Sequence, residues 1–413
     1  MADTSGGSRN RSPFPVPDFI RGARRLFDIP DDVSYLNCAY MSPQLRAATE
    51  AGQRAVAGKA RPWEIGVEAF FEPGERYRSL AASLLSCDTG DIALVPSVSY
   101  GVSTAVANLR LGPSRGVLML AEQFPSNVYP WLAAARRVDA PVVFVPRPDH
   151  GDWTRAVLET LASRDDLGLL ALPVVHWTDG SRLEMNVLSG ICRSEGFGLV
   201  LDVTQSLGAE PLDVRSLRPD FLVAAGYKWL LGPYGLGLMY ADPDHHGGRP
   251  LEEAWMNRAA SDDFGGLVNY RNEYQEGARR FDMGARAQFS ALPAAIAALE
   301  QVSGWGVDSI AHTLGGLTGR IADMGRALGL ETPAEGARCR HMIGLGLPPG
   351  AGPGVVAELA NRHVYVSCRG DRLRVSPHVY NDENDVNALR SGLETTLASV
   401  AGPAGRERTQ GPA

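Results

Sequence analysis

The fold of this chain is decided by the stretch Phe221-Leu222-Val223-Ala224-Ala225-Gly226-Tyr227-Lys228-Trp229. Five apolar residues in a row predict a strand that is buried on both faces, and a lysine follows shortly after its end. Upstream of it, Asp202 ends another apolar run, Leu199-Val200-Leu201. The sequence therefore predicts an amine and a carboxylate at the carboxyl ends of two buried strands.

Apolar runs alternate with helical patterns between about residues 90 and 240, which predicts an α/β fold with a mostly parallel sheet covered on both faces. Ligands of such sheets bind at the carboxyl ends of the strands, where Asp202 and Lys228 lie. The predicted strands are Gly116–Leu120, Val142–Val145, Gly168–Val175, Leu199–Asp202 and Phe221–Ala225, and the predicted helices are Val102–Leu109, Asn127–Arg137, Thr154–Ser163 and Val187–Glu195.

The pattern changes from about residue 290, where long helices, a hairpin and a closing helix predict a second, smaller α/β domain. The helices are expected at Ala291–Val302, Ile310–Leu328 and Asn384–Val400, and the hairpin at Val364–Ser367 and Leu373–Ser376, with Gly370-Asp371 as its turn. We expect a large domain over residues 36–285, a small C-terminal domain over 286–400, an N-terminal segment at 17–35 that packs on the small domain, and disordered tails at 1–16 and 401–413.

Composition excludes several classes of protein. The net charge of −7 and the absence of a basic stripe argue against a nucleic-acid partner. No apolar stretch reaches the roughly 18 residues of a membrane span, so no membrane partner is expected. The cysteines form no CxxC pair and their number is odd, which predicts reduced thiols in the cytoplasm and no zinc or other metal site. They are Cys38, Cys87, Cys192, Cys339 and Cys368.

The stretch Ser97-Val98-Ser99-Tyr100-Gly101 is predicted to open a helix. The first turn of a helix offers free backbone N–H groups and a partial positive charge, so it binds a phosphate readily. Ser99 alone is also explained as a simple N-cap. Combined with the lysine and the acid downstream, the stretch predicts a phosphate site.

An amine and an acid at neighbouring strand ends suit pyridoxal phosphate, because Lys228 would form the imine and Asp202 would keep the pyridine nitrogen protonated. Phe124, on the loop Glu122–Asn127, would stack on the ring, and Gln205 would donate a hydrogen bond to the ring oxygen. Each has an ordinary alternative: a strand-terminal Asp is often a helix N-cap, and a Phe after a strand often lies in the core.

Lys228 has one alternative interpretation, as a surface lysine, but an exposed lysine rarely follows an apolar strand inside a glycine-rich frame. In a cofactor site, burial and the positive charge of the cofactor would lower its pKa. The free amine would then act as the general base that moves the Cα proton of a substrate.

Two further segments predict contacts at the same edge of the sheet. Either Trp177 or His176, after the strand that ends near Val175, is expected beside the cofactor. Arg374 is expected to bind a substrate carboxylate through two parallel hydrogen bonds. Arg372 faces the same side under strand alternation, so spacing alone leaves both arginines open.

In this order the segments resemble the class V aminotransferase group of fold-type I pyridoxal phosphate enzymes, which includes kynureninase, isopenicillin N epimerase and the cysteine desulfurases. The motifs that carry the resemblance are Asp-Val-Thr-Gln at 202–205, Tyr-Lys-Trp at 227–229 and Phe-Pro-Ser-Asn at 124–127. The resemblance implies a seven-stranded type of sheet, with Lys228 as the Schiff-base lysine and Asp202 as the pyridine partner. It also implies a phosphate site with Val98, Ser99 and Tyr227, ring stacking by Phe124, and carboxylate binding by Arg374.

The resemblance further implies a homodimer whose active sites are completed by the neighbouring chain. The segment 277–286 is similar to the one that reaches the partner's phosphate in this family. Ala285-Arg286 stands there in place of the more usual small polar pair, which leaves that contact open. Gly370-Asp371 makes a tight turn where desulfurases carry a long loop with a nucleophilic cysteine. Since Cys368 lies before that turn, on a strand, we expect the protein not to be a cysteine desulfurase.

The sequence thus predicts an enzyme that binds an amino acid through its amine and acts at its Cα and Cβ. Lyase chemistry at Cβ, on a C–S or C–C bond, is favoured by the likeness to kynureninase, with transamination and epimerisation as alternatives. A protein that keeps the fold but has lost turnover is the non-enzyme alternative. A nicotinamide oxidoreductase is disfavoured, because the glycine cluster at 232–237 precedes a strand rather than a helix.

Overall fold

The computed structural model of the chain describes residues 19–401, and a seven-stranded sheet lies at its centre. The strands among these residues are β1 (Ser34–Tyr35), β2 (Ile92–Val95), β3 (Gly116–Leu120), β4 (Val142–Val145), β5 (Leu167–Pro173), β6 (Gly198–Asp202), β7 (Phe221–Ala225), β8 (Gly237–Ala241), β9 (Ile343–Gly346), β10 (Val364–Tyr365), β11 (Ser367–Arg369) and β12 (Arg372–Val375). The central sheet has the order β2-β8-β7-β6-β5-β3-β4, and only β8 runs antiparallel to its neighbours. The predicted α/β fold with a mostly parallel sheet of seven strands is confirmed.

The helices among residues 19–401 are α1 (Arg46–Gly58), α2 (Glu68–Leu85), α3 (Val98–Asn108), α4 (Tyr129–Val138), α5 (Trp153–Ala162), α6 (Met185–Glu195), α7 (Val214–Leu217), α8 (Ala291–Trp305), α9 (Val307–Ala327), α10 (Gly352–Asn361) and α11 (Glu383–Ala401). Helices α2 to α6 pack on the central sheet, whereas α9, α10 and α11 pack on β1 and on the strands β9 to β12. Alternate residues of β3 show the two layers: Leu118 and Leu120 belong to one apolar cluster, Val117 and Met119 to another. Burying such a side chain contributes about 1.5–3 kcal/mol, so the two layers hold the sheet rigid beneath its carboxyl edge.

The helix α3 begins four residues before the predicted start. Ser97 is its N-cap, since its Oγ accepts a hydrogen bond from the backbone N–H of Tyr100 at 3.2 Å. Gly101 lies in its first turns, and a Cβ at that position would collide with Val223 of β7. Because glycine has no Cβ, α3 can lie close against the sheet at this position.

Two smaller sheets complete the fold. The strands β9, β11 and β12 form an antiparallel sheet, with Gly370 and Asp371 at the hairpin turn between β11 and β12. The predicted bounds of the first hairpin strand, 364–367, are wrong. Val364 and Tyr365 pair in parallel with β1, and the strand that pairs with β12 begins only at Ser367. The backbone changes partner at that point, which an unbroken apolar pattern does not reveal.

The predicted tails at 1–16 and 401–413 lie outside the described residues, apart from Ala401 at the end of α11. The N-terminal segment is tied to the C-terminal part of the chain through β1 and β10. The boundary at residue 285 stays a prediction, because α8, assigned to the small domain, packs on α1 and α2. Among residues 19–401, no helix combines the length and the apolar character that crossing a bilayer requires.

Candidate active site

A cavity opens at the carboxyl ends of β5, β6 and β7 and brings together most of the predicted site residues. It offers about 850 Å³ between protein atoms, including its open mouth. The lining residues that the sequence had singled out are Val98, Phe124, Trp177, Asp202, Gln205, Tyr227 and Lys228.

Lys228 follows β7 at the base of this cavity, on a loop that folds back on itself. Backbone bonds from Gly226 to Leu236 and from Gly232 to Gly226, at 3.0 and 2.9 Å, hold the loop in place. The lysine side chain is 6% exposed. Its burial and, to a smaller extent, the charge of Arg374 lower the pKa of the Lys228 amine to about 8, while Asp202 opposes the shift. About a tenth of the amine is therefore unprotonated at about pH 7.

Asp202 ends β6 and faces the same cavity. Its Oδ1 accepts a hydrogen bond from the backbone N–H of Thr204 at 3.0 Å, and Thr204 Oγ1 accepts one from Ala225 at the end of β7. Burial raises the pKa of Asp202, while hydrogen bonds from Thr204 and the charge of Lys228 lower it. A buried carboxylate held this way is stabilised by a cation placed against it.

Aromatic side chains form the walls of the cavity. The Lys228 Nζ lies 5.4 Å from the ring centroid of Phe124, and the Phe124 ring meets Trp177 edge-on at 5.4 Å. Trp177 is fixed by a 2.7 Å hydrogen bond from its Nε1 to the carbonyl of Glu122. Of the two candidates, Trp177 lines the cavity, whereas His176 is buried and its ring stacks on that of Trp153.

The helix terminus at this cavity differs in detail from the prediction. Ser97 and Val98 line the cavity, while Ser99 and Tyr100 are not among the lining residues. Ser97, and not Ser99, is the N-cap, and the two hydroxyl oxygens lie 2.9 Å apart. The sequence contains serines two positions apart, and only the backbone conformation shows which one precedes the first helical residue.

Gln205 lines the cavity, but the nitrogen and the oxygen of its side-chain amide both already form hydrogen bonds within the protein. Its Nε2 donates to the carbonyl of Ala39 at 3.1 Å, and its Oε1 accepts from Trp229 Nε1 at 2.9 Å. The second N–H of Nε2 is left for a further acceptor. Its role as donor to the cofactor stays a prediction.

The structure separates the two candidate arginines. Arg374 is 1% exposed, its Nε donates to Ser367 Oγ at 3.1 Å, and its Nη1 donates to the carbonyl of Trp177 at 2.8 Å. Its Nη2 has no hydrogen-bond partner among the described residues. Arg372 instead pairs with Glu331 at 2.9 Å. Arg374 thus keeps one buried donor free for an anion beside Lys228.

Two residues near the cavity were missed. The guanidinium of Arg369 lies 5.2 Å from the Trp177 ring centroid, and its charge lowers the pKa of Arg374, after burial, to about 9. Tyr234 lines the cavity and contacts Tyr227, with ring centroids 4.6 Å apart. Tyr234 lies in the glycine-rich loop that follows Lys228, and Arg369 directly precedes the hairpin turn. Neither residue belongs to a motif that predicts a site residue.

The segment 277–286, which the resemblance assigns to a contact with a partner chain, makes some of its contacts within its own chain. Arg286 is buried and pairs with Asp282, which also binds the buried Arg78. Ala285 is exposed, with a positive φ of 53°. Arg286 therefore pairs within the interior of this chain, and a contact of this segment with a partner's phosphate stays open.

The residues of the cavity fit pyridoxal phosphate. Lys228 offers an amine of lowered pKa, Asp202 a carboxylate for the pyridine nitrogen, and Phe124 a face for the ring. The N-terminus of α3 offers backbone N–H groups for the phosphate. Beyond these groups, the free Nη2 of Arg374 is an unpaired buried donor that a substrate carboxylate would satisfy.

Comparison with known proteins agrees with this geometry. An uncharacterized aminotransferase of Bacillus subtilis is 27% identical over 79% of this chain and 84% of its own, and a kynureninase of Deinococcus radiodurans is 29% identical over 68% of both. A probable cysteine desulfurase of Pyrococcus abyssi is 24% identical over 79% of this chain and 84% of its own. Two solved structures share the fold: a cysteine desulfurase of Thermococcus onnurineus (TM-score 0.79, 18% identity, 91% and 98% covered) and the cystine C–S lyase C-DES (0.77, 21%, 88% and 97%).

These matches overturn one prediction. The exclusion of a cysteine desulfurase is wrong, because proteins named as desulfurases match this chain over most of its length in sequence and in fold. The tight turn after Cys368 constrains a single hairpin, and it is outweighed by a likeness that extends over the whole architecture. The family model for aminotransferase class V matches residues 56–315, and the chain therefore belongs to the class V aminotransferase family.

Proposed function

We propose that this pyridoxal phosphate-dependent enzyme acts on an amino acid and cleaves a C–S or C–C bond at its Cβ. The observation that carries the proposal is the burial of Lys228 and Asp202 in one cavity, with the free Nη2 of Arg374 nearby. Cleavage at Cβ is supported by the printed names of relatives: a kynureninase and probable cysteine desulfurases in sequence, a cystine C–S lyase in fold.

The residues of the chain divide the work of this reaction. When bound, the cofactor would supply an aldehyde for the substrate amine and an electron-accepting ring. Lys228, with a pKa lowered to about 8, would remove and return the proton at the substrate's Cα. Asp202 would keep the pyridine nitrogen protonated, and Phe124 would stack on the ring.

The substrate is held by its carboxylate. Arg374 lies close enough to lower the pKa of Lys228, and its Nη2 awaits an acceptor. Arg369 adds a second positive charge near Trp177, and no ion pair of Arg369 is present among residues 19–401. Two cations without a protein carboxylate favour an anionic ligand group at this end of the cavity.

The test is to incubate the purified enzyme with a panel of amino acids and to measure keto acid, ammonia and thiol. Release of keto acid with ammonia, or with a thiol or sulfide product, supports the lyase. Stoichiometric formation of a new amino acid from an added keto acid would contradict it and would support an aminotransferase, the activity named for the Bacillus subtilis relative.

The attachment of the cofactor is tested separately. The chain contains only two lysines, Lys59 and Lys228, and Lys59 is exposed. Borohydride reduction followed by peptide mapping should place the cofactor on Lys228 alone. A colourless protein that binds no cofactor would contradict the proposal and favour a binding protein without turnover.

The proposal includes a homodimer in the cytoplasm. A cluster of exposed apolar side chains lies on the segment 255–270, where Tyr270 is 97% and Val268 is 78% exposed. Such a patch marks a protein interface. The double substitution Val268→Asp with Tyr270→Asp should yield a monomer in light scattering, and a dimer that persists would contradict this location of the interface. Five free thiols accord with a cytoplasmic location.

A further inference from the structure

A second cluster of ionisable groups lies outside the cavity, between the loop that follows β6 and the segment that precedes β9. It consists of Glu210, Cys339 and His341, whose ligating atoms all lie within 4.8 Å of one another. Cys339 and His341 are fully buried, and Glu210 is largely so. The proposed reaction uses none of the three, so their juxtaposition needs another explanation.

The histidine has a defined tautomer. His341 Nε2 contacts the backbone carbonyl of Gln205, and since a carbonyl only accepts, this nitrogen carries a proton. His341 Nδ1 is buried, has no hydrogen-bond partner among residues 19–401, and lies 3.5 Å from Glu210 Oε1. Histidines that bind metals show this arrangement, with one ring nitrogen donating to a carbonyl and the other left free.

The spacing and the chemistry of the three groups fit a single ion. Two ligands at about 2.0–2.1 Å from a tetrahedral zinc are roughly 3.4 Å apart, close to the observed separation of Nδ1 and Oε1. One thiolate, one imidazole and one carboxylate suit zinc or cobalt and are a poor set for magnesium or calcium. We propose that Glu210, Cys339 and His341 bind one divalent transition-metal ion of the zinc class, with a water molecule in the fourth position.

The site would join two parts of the fold. Glu210 follows the loop that carries Asp202 and Gln205, whereas Cys339 and His341 lead into β9 of the small sheet. No sequence pattern predicts this site, because Glu210 lies far from Cys339 and His341 along the chain and no CxxC pair is present.

The test uses the tag-free holoenzyme, loaded with zinc, passed over a desalting column and assayed for metal by mass spectrometry. We expect about one zinc per chain, and a tetrahedral visible spectrum after loading with cobalt instead. Cys339→Ser and His341→Gln should each lose the bound metal, while Cys192→Ser, which alters a buried cysteine in α6, should keep it. Zinc at roughly a hundredfold excess over its dissociation constant should raise the Tm of wild type by about 3 °C.

Wild-type protein alone can refute the proposal, so variants that fail to fold do not weaken the test. A wild-type chain that keeps no zinc after desalting, with a Tm that zinc leaves unchanged, would reduce the cluster to an ion pair beside a thiol. Glu210→Gln is a milder variant, since Glu210 is the least buried of the three residues. Full retention of zinc by all three ligand variants would equally overturn the assignment.

Discussion

Buried charged side chains occur in two regions of this molecule, and the regions differ in whether the protein itself supplies the partners of these charges. In the cluster of Arg78, Asp282 and Arg286, one carboxylate binds both guanidinium groups. The remaining oxygen, Asp282 Oδ1, accepts a hydrogen bond from the backbone N–H of Leu94 at 2.8 Å, and the Asp282 carbonyl accepts one from Asn257 at 2.9 Å. The protein itself supplies every partner of this acid.

The cavity around Lys228 leaves partners missing. Within the part of the chain that the structure describes, one buried nitrogen of Arg374 has no acceptor, and burial and the charge of Arg374 both lower the pKa of Lys228. A compensated cluster stabilises one conformation, whereas an uncompensated one is completed only by a ligand. The difference predicts that substitutions in the first region change stability and that substitutions in the second change chemistry.

The largest effect is expected from Lys228→Ala. Loss of the cofactor's anchor and of the base should lower turnover by about a thousandfold or more, measured as keto-acid release. Folding should persist, because a buried amine is removed and no partner is stranded. Lys59→Ala is the matched control and should retain full activity. Turnover by Lys228→Ala within tenfold of wild type, as a rough limit, would remove this lysine from the mechanism.

Asp282→Asn tests the compensated region. Two buried guanidinium groups would lose their shared carboxylate, which should cost about 3–5 kcal/mol of unfolding free energy in urea titrations. The matched control is Glu300→Gln, which breaks an exposed pair with Arg76 and should cost less than about 1 kcal/mol. Equal losses in the two variants would show that the buried cluster has no special role.

The pH dependence of stability reports on Lys228 in the cofactor-free protein. Its pKa is 10.5 when unfolded and about 8 when folded, so between these values the unfolded state binds more protons. Stability therefore rises with pH across this window, by about 3 kcal/mol for this group. Urea titrations of wild type and Lys228→Met from about pH 7 to about pH 10 isolate the contribution of this group. A constant difference between them would contradict the lowered pKa.

The sequence predicted β3 to β7 to within two residues at each end, because these strands are continuous apolar runs, but it did not predict β2 at the edge of the sheet. It placed Asp202, Lys228 and Phe124 in one cavity for the same reason. It failed where tertiary contacts decide: which serine caps α3, where the backbone changes partner near Val366, and which arginine keeps a free donor. Turn length at a single hairpin also proved too local a feature to exclude an activity.

The smallest effect is expected from the two arginines that sequence spacing left open. Arg374→Gln should raise the KM for the amino acid about 10- to 100-fold, because a hydrogen bond to a charged group contributes about 1.5–3 kcal/mol. Arg372→Gln should leave KM within about twofold of wild type, since Arg372 pairs with the exposed carboxylate of Glu331. Both side chains lie on β12. Arg372 pairs with the carboxylate of Glu331, whereas Arg374 has no carboxylate partner among the described residues. An equal rise of KM in the two variants would contradict the inference that the substrate carboxylate binds at the unpaired Nη2 of Arg374.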